Sequence, residues 1–268
     1  MSEVLGREIE APKVARGNGL RALIGRTGHQ REAHFTSPAR YANGQYPALP
    51  SYLRDIYGWA YLDPRNARLL DHEAVVNTLL WGNSGRLRRA LLAEITPGDR
   101  VLQAAHVYGR LIPDLARTVG PAGRFDIIEI APLQAAMCRR KLRDFRSTHV
   151  RIGDAACPGD GEYDVVVSFF LLHELPDDHK RAVVDALLRR LSPGGKAVFI
   201  DYHAPAPWHP LRGFMRHVFA RLEPFAESMW HHPIQDFARD PEPYFWRTET
   251  CFGDLYQKTV ASSNALKT

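Results

Sequence analysis

Val101–Gly109 reads VLQAAHVYG. A turn signal, Pro97-Gly98-Asp99, precedes it, and Arg110–Thr118 carries a helical pattern after it. Strand, tight loop and helix in that order open a nucleotide-binding α/β domain. A dinucleotide such as NAD needs closely spaced glycines there, so that bare backbone can approach a pyrophosphate. This loop offers only Gly109, and Ala105, His106, Val107 and Tyr108 put side chains where glycines would stand. The loop therefore counts against a dinucleotide at the end of this strand.

The chain after it alternates strand and helix, which predicts a parallel sheet. Phe125–Ile130 (FDIIEI) is a second strand, with a helix from Ala131-Pro132 to Arg143. Glu129 follows Gln103 by 26 residues, near the spacing of an acid that grips a ribose diol. His149–Ile152 is a third strand, and Asp154 just beyond it is placed to accept from an adenine amino group. Tyr163–Phe170 (YDVVVSFF) is the continuous apolar run of a buried central strand, closed by Phe170. Ligands of open α/β sheets lie outside the carboxyl ends of strands, so His173 and Glu174 stand where function is found. Asp177 and Asp178 are expected to cap a helix running to Arg190, Leu191–Gly195 (LSPGG) to turn, and Lys196–Asp201 to form a fifth strand. Asp201, Tyr202 and His203 again fall at a carboxyl end. Trp246–Cys251 and Leu255–Ala261 alternate around Phe252-Gly253-Asp254, an expected closing hairpin.

Three further regions flank this core. Residues 1–48 are polar and arginine-rich without an apolar face, which predicts a disordered basic extension. Glu3, Glu8 and Glu10 argue against an organelle-targeting leader. Residues 49–96 predict a cap of two or three helices, with Asp63-Pro64 as a helix start. Tyr52, Tyr57, Trp59 and Tyr61 cluster there, and Tyr57, Trp59 and Trp81 can pack as core or cover a flat aromatic substrate. Leu211, Phe214, Met215, Val218, Phe219, Leu222, Phe225 and Met229 repeat at three and four, with basic residues between them. They predict an amphipathic helix over about residues 208–232, bent at Pro224, inserted into an α/β domain spanning 97–268.

Composition narrows the class. The chain has 268 residues, 45% of them hydrophobic, a formal charge of +5 and a pI near 9.2. No apolar run of about 18 residues exists to span a bilayer, and no secretory leader is read. Cys138, Cys157 and Cys251 have no metal-ligand spacing and suit a reducing, cytoplasmic compartment. Arginine is dispersed rather than blocked, which disfavours nucleic acid as partner.

The LSPGG turn, the YDVVV strand and the FLLHEL segment together resemble class I S-adenosylmethionine-dependent methyltransferases over about residues 86–260. Longer segments resemble one family more specifically. YGWAYLDPRN (Tyr57–Asn66), VVNTLLWGNSGRL (Val75–Leu87), VLQAAHVYG, FFLLHEL (Phe169–Leu175), GGKAVFIDYHAP (Gly194–Pro205) and LEPFAESMW (Leu222–Trp230) are similar to the rhodoquinone-biosynthesis family RquA. The resemblance implies a Rossmann-like, mostly parallel sheet with a C-terminal antiparallel hairpin and a helical cap. It implies conversion of ubiquinone to rhodoquinone, an amino group replacing a ring methoxy group, with S-adenosylmethionine as amino donor and manganese as metal. It also implies a lipid quinone as partner and peripheral contact with the inner face of the plasma membrane.

Against the methyltransferase pattern, Gln103 replaces the acid at the end of the first strand, and Ala105 and Val107 replace two glycines. Loss of that charge leaves an ammonium group less firmly held, and an uncharged amine is the better nucleophile. His106 stands where the resembled family is expected to carry cysteine. Catalytic candidates are His106, Tyr108, His173, Asp201 and His203; cofactor-binding candidates are Gln103, Ala105, Gly109, Glu129, Asp154 and Phe170. His173 and Glu174 are the metal candidates, since imidazole and carboxylate suit manganese. Two other readings stand beside this one: methyl transfer to a quinone or small aromatic, and a non-catalytic cofactor-binding protein.

Overall fold

A computed structural model describes residues 49–263, so the expected extension over residues 1–48 lies outside the described residues. The cap comprises five short helices rather than two or three: α1 (Ser51–Asp55), α2 (Gly58–Tyr61), α3 (Pro64–Leu70), α4 (Glu73–Leu79) and α5 (Ser84–Leu92). Asp63 caps α3 as its sequence implies, its carboxylate accepting from Arg65 N–H and Asn66 N–H ahead of Pro64.

Seven strands form one sheet: β1 (Arg100–Ala104), β2 (Arg124–Glu129), β3 (Thr148–Ile152), β4 (Tyr163–Phe169), β5 (Leu191–Tyr202), β6 (Tyr244–Cys251) and β7 (Tyr256–Ser263). Their order is β3-β2-β1-β4-β5-β7-β6. The first five run parallel, and β7 joins β5 antiparallel with β6 outside it. The chain works outward from β1 to β3 and then returns to β4. The β1/β4 seam is therefore the switch point, where open α/β sheets bind ligands. Helices α6 (Leu111–Val119), α7 (Pro132–Leu142) and α8 (Asp177–Leu188) follow strands β1, β2 and β4.

Alternation within the strands divides the core between the two faces. Val101, Val165, Val167 and Ile200 pack with Leu87, Leu91, Leu115 and Phe219 on one face. Leu102, Val166 and Phe199 pack with Val183, Leu187 and Phe237 on the other. Both faces of the β4 run are thus buried, which is why it reads as uninterrupted apolar sequence.

Three local expectations are corrected. Leu191–Gly195 does not turn but starts β5, with a bulge against β4 between Tyr163 and Val165. Ser192 Oγ donates to the Tyr163 carbonyl, and a Cβ on Gly195 would meet that carbonyl oxygen at 2.9 Å, so a side chain does not fit there. The inserted helix, α9, covers only Arg212–Leu222. A proline disfavours helical backbone in the residue before it, and Glu223, before Pro224, leaves the helix at φ −133° and ψ 63°. The chain continues in short 3-10 turns, Glu227–Trp230 and Ile234–Phe237. Finally, Pro176 occupies the cap position of α8, and Asp177 instead accepts from Lys180 Nζ at 2.8 Å.

Two polar clusters, one buried and one partly exposed, tie distant parts together. Fully buried Lys180 also donates to the carbonyls of Leu175 and Phe225 and to Ser228 Oγ, joining α8 to the chain beyond α9. Glu94, at the end of the cap, receives Lys196 of β5, Arg247 of β6 and Lys258 of β7 at 2.8–3.2 Å.

Candidate active site

The carboxyl ends of β1 to β4 border a narrow cleft lined by Ala105, Ile128, Ile130, Asp154, Leu171, Leu175 and His179, among others. Aliphatic walls and one carboxylate suit a flat heteroaromatic ring with an exocyclic donor. Asp154 accepts from Ala156 N–H at 2.8 Å and lies 3.2 Å from His179 Nε2. Burial opposes its charge, but these two contacts hold its carboxyl below the ordinary range.

The β1 loop keeps the bend that glycines would give. Ala105 sits at φ +65° and Gly109 at φ +77°, in the left-handed region that costs an L side chain energy. At Gly109 the requirement is also steric: a Cβ would lie 2.6 Å from the Glu73 carboxylate of α4. Its N–H donates to Asp71 at 3.1 Å and its carbonyl accepts from Lys141 at 2.9 Å. Gly109 thus fastens the loop to the cap.

Gln103 is fully buried and folded onto its own backbone, Nε2 donating to the carbonyls of Ala104 at 2.7 Å and Ala105 at 3.1 Å. An amide does this and a carboxylate does not. Its Oε1 is buried without a partner. Glu129 is buried too, one oxygen accepting from His106 N–H and the other from Ala131 N–H, both at 2.7 Å. Burial pushes its carboxyl up to about 7 against those N–H contacts. The acid expected at a ribose diol is therefore engaged in closing the loop.

Beyond the loop, a chain of polar and aromatic side chains runs from β1 to β5. His106 Nδ1 lies 2.9 Å from Gln134 Oε1, and Gln134 Nε2 donates to Tyr108 Oη at 2.7 Å and to the Tyr61 carbonyl at 2.9 Å. Since Gln134 spends its amide hydrogens there, its oxygen faces His106. The imidazole proton is then on Nδ1, and the buried Nε2 has a free lone pair. Burial, with help from the Lys141 cation, lowers His106 to about 3, so the ring is neutral. Tyr108 donates to the Ala60 carbonyl at 2.8 Å, and Tyr61 stacks on it with centroids 5.6 Å apart and planes at 14°.

Tyr61 in turn donates its hydroxyl proton to Glu174. Glu174 Oε1 lies 3.9 Å from His173 Nε2, while His173 Nδ1 lies 2.8 Å from Asp201. Asp201 also accepts from the N–H groups of Leu172, His173 and Tyr202, which fixes the 3-10 turn Leu172–Glu174. Burial disfavours charge on His173, but Asp201 outweighs it and raises the imidazole to about 9. Burial raises Glu174, against the pull of His173. Phe170, at φ +51°, packs edge-on against His173 and Tyr202, a strained position at the end of β4.

The structure brings His106, Tyr108, His173, Glu174, Asp201 and Phe170 into one region, while His203 turns away. His203 Nδ1 contacts the carbonyls of Ala204 and Asp254 and serves the β6–β7 hairpin. At the expected metal pair, His173 Nε2 faces Glu174 Oε1 at 3.9 Å, and that oxygen accepts from Tyr61; no group of three or more His, Cys, Asp or Glu able to hold a metal occurs among the described residues. Gln134 and Glu223 escaped sequence reading, and the sequence marks Tyr57 and Tyr61 only as members of the cap's aromatic cluster. Tyr57 is buried with its hydroxyl unpartnered, and Glu223 stands close enough to His173 and Asp201 to feel their charges. The aromatic cluster of the cap and the acid in LEPF were visible signals, but nothing in spacing joined them.

The comparisons with known proteins agree with this geometry. A methyltransferase-domain family model matches residues 101–195. An uncharacterized methyltransferase of Synechocystis sp. is 26% identical over 163 residues, covering 59% of this chain and 73% of that protein. The ubiquinone/menaquinone biosynthesis C-methyltransferase UbiE of Shewanella halifaxensis is 30% identical over 114 residues, 41% of this chain and 45% of that enzyme. Its Pseudomonas putida counterpart is 28% identical over 196 residues, 70% of this chain and 73% of that enzyme. Among solved structures, the mitomycin 7-O-methyltransferase MmcR aligns with a TM-score of 0.57 at 15% identity, over 78% of this chain and 60% of that one. The pyocyanin biosynthetic protein PhzM does so with a TM-score of 0.57 at 12% identity, over 78% and 62%. The chain has the fold of class I S-adenosylmethionine-dependent methyltransferases, and residues 101–195 match a methyltransferase-domain family model.

Proposed function

We propose that this chain uses S-adenosylmethionine to modify the ring of a quinone. The observation that carries the proposal is the series Tyr61–Glu174–His173–Asp201, walled by aromatic rings and set beside the strand-end cleft. Ile130, Asp154, Leu171 and His179 would hold the adenosyl part of the cofactor, which when bound supplies the group transferred. Tyr61, Tyr108, Phe170 and Tyr202 offer ring faces and edges to a flat substrate. Asp201 fixes the His173 ring, and His173 sets the charge facing Glu174. Glu174, raised by burial and reached by the Tyr61 hydroxyl, can give a proton to a ring carbonyl and recover it.

Two chemistries fit this site. The favoured one is replacement of a ring methoxy group by an amino group, as the resemblance to the rhodoquinone family implies. Gln103 supports it, since no carboxylate stands there to hold an ammonium group. The second is methyl transfer, supported by the quinone C-methyltransferases among the relatives. Incubation with S-adenosylmethionine and a short-tail ubiquinone decides by product mass. Amino-for-methoxy exchange lowers it by about 15 daltons, methyl addition raises it by about 14, and an unchanged mass refutes both.

A further inference from the structure

Far from the strand-end cleft, the turn between α4 and α5 displays large apolar side chains. Leu79 is 58% exposed and Trp81 40% exposed, and Trp81 meets Phe214 of α9, itself 52% exposed, edge-on at 5.6 Å. Trp81 stands at φ +52°, a backbone conformation that a bulky residue rarely adopts. The turn is held there by Gly82 N–H donating to the Asn77 carbonyl at 2.7 Å. A strained tryptophan in a protein core would be explained by packing; one held at the surface calls for an external partner.

Charge identifies the partner. Helix α9, RGFMRHVFARL, contains three arginines and no acid, and Arg216 and Arg221 are exposed. Helix α5, SGRLRRALL, also contains three arginines and no acid, and Arg86 and Arg89 are exposed. An aromatic pair between two acid-free basic helices matches a lipid surface, where tryptophan favours the headgroup level and arginine the anionic charge. Leu80, between Leu79 and Trp81, lines a second, narrow cleft. Val76, Val107, Leu111 and Phe169 line it too, and it reaches Tyr108.

We infer that Leu79, Trp81 and Phe214, with Arg86 and Arg89 beside Trp81 in sequence and Arg221 on the face of α9 that carries Phe214, form a docking surface for an anionic bilayer. The second cleft, part apolar and part lined by Glu73, Arg88 and Arg110, gives a route from that surface toward the β1 loop. The route rests on the quinone reading; the docking surface does not.

Sedimentation with vesicles tests the surface without cofactor or substrate. The full chain should pellet with vesicles of equal parts phosphatidylcholine and phosphatidylglycerol, and stay in solution with phosphatidylcholine alone. Trp81→Asn, which suits the left-handed backbone, and Phe214→Ser should each weaken binding about ten-fold. Arg86→Glu and Arg221→Glu should weaken it at least about five-fold each. Binding that all four variants leave unchanged overturns the proposal, as does equal binding to neutral vesicles. A dimer seen by light scattering that Phe214→Ser disrupts, with no vesicle binding, assigns the patch to a second copy and overturns it too. Vesicle binding without quinone conversion leaves this surface standing and refutes the quinone reading.

Discussion

Gln103→Glu tests why the end of β1 carries an amide. The amide hydrogens bridge two carbonyl oxygens at full burial, and a carboxylate would set its charge against both. The variant should lose about 2–4 kcal/mol of stability, read as a lower urea midpoint, and should not gain amino-transfer activity. At Ala105, φ +65° is a glycine conformation carried by a methyl group. Ala105→Gly should therefore stabilise by about 0.5–1 kcal/mol, seen as a raised melting temperature. These two residues show what was legible at this scale. The sequence revealed that the loop was altered, because residue types can be read directly. It did not reveal that Gln103 folds back on its own backbone or that Glu129 closes the loop, since both depend on rotamers. The partners that complete the site, Tyr61 with Glu174 and Gln134 with His106, are 113 and 28 residues apart, and no local pattern connects such pairs.

Individual elements carry the site into place, and α2 and α8 can be tested separately. Tyr61→Phe keeps the stack on Tyr108 and removes only the hydroxyl that meets Glu174. It should lower kcat about ten- to a hundred-fold with KM within about two-fold, measured with saturating S-adenosylmethionine. Lys180→Met removes the cation that four acceptors share. Its loss should cost about 3–5 kcal/mol and free the segment beyond α9, measurable as faster hydrogen exchange at Phe225–Trp230. Strands and long helices were legible because burial imposes a period on them. The LSPGG bulge and the end of α9 were not, since each is settled by a neighbouring backbone: Tyr163 for the first, and Pro224 acting on Glu223 for the second.

For the whole molecule, pH dependence follows from His173. Its imidazole is raised from 6.5 to about 9 in the folded state, where Asp201 overcomes burial. The corresponding stability is fully present below the unfolded value and is lost as pH rises through about 9. The urea midpoint should fall over that window by the equivalent of about 3 kcal/mol, and His173→Gln should flatten the profile. The sheet order and closing hairpin were readable at this scale because alternating strand and helix leaves few topologies.

The Glu94 contact bears on how the site is approached. One carboxylate bolts the trailing end of the cap to Lys196, Arg247 and Lys258 on three strands. With that end pinned to the sheet, the cap cannot lift away as a whole: any opening over the strand ends has to pivot about Glu94, which makes a carboxylate remote from the chemistry the fixed point of access.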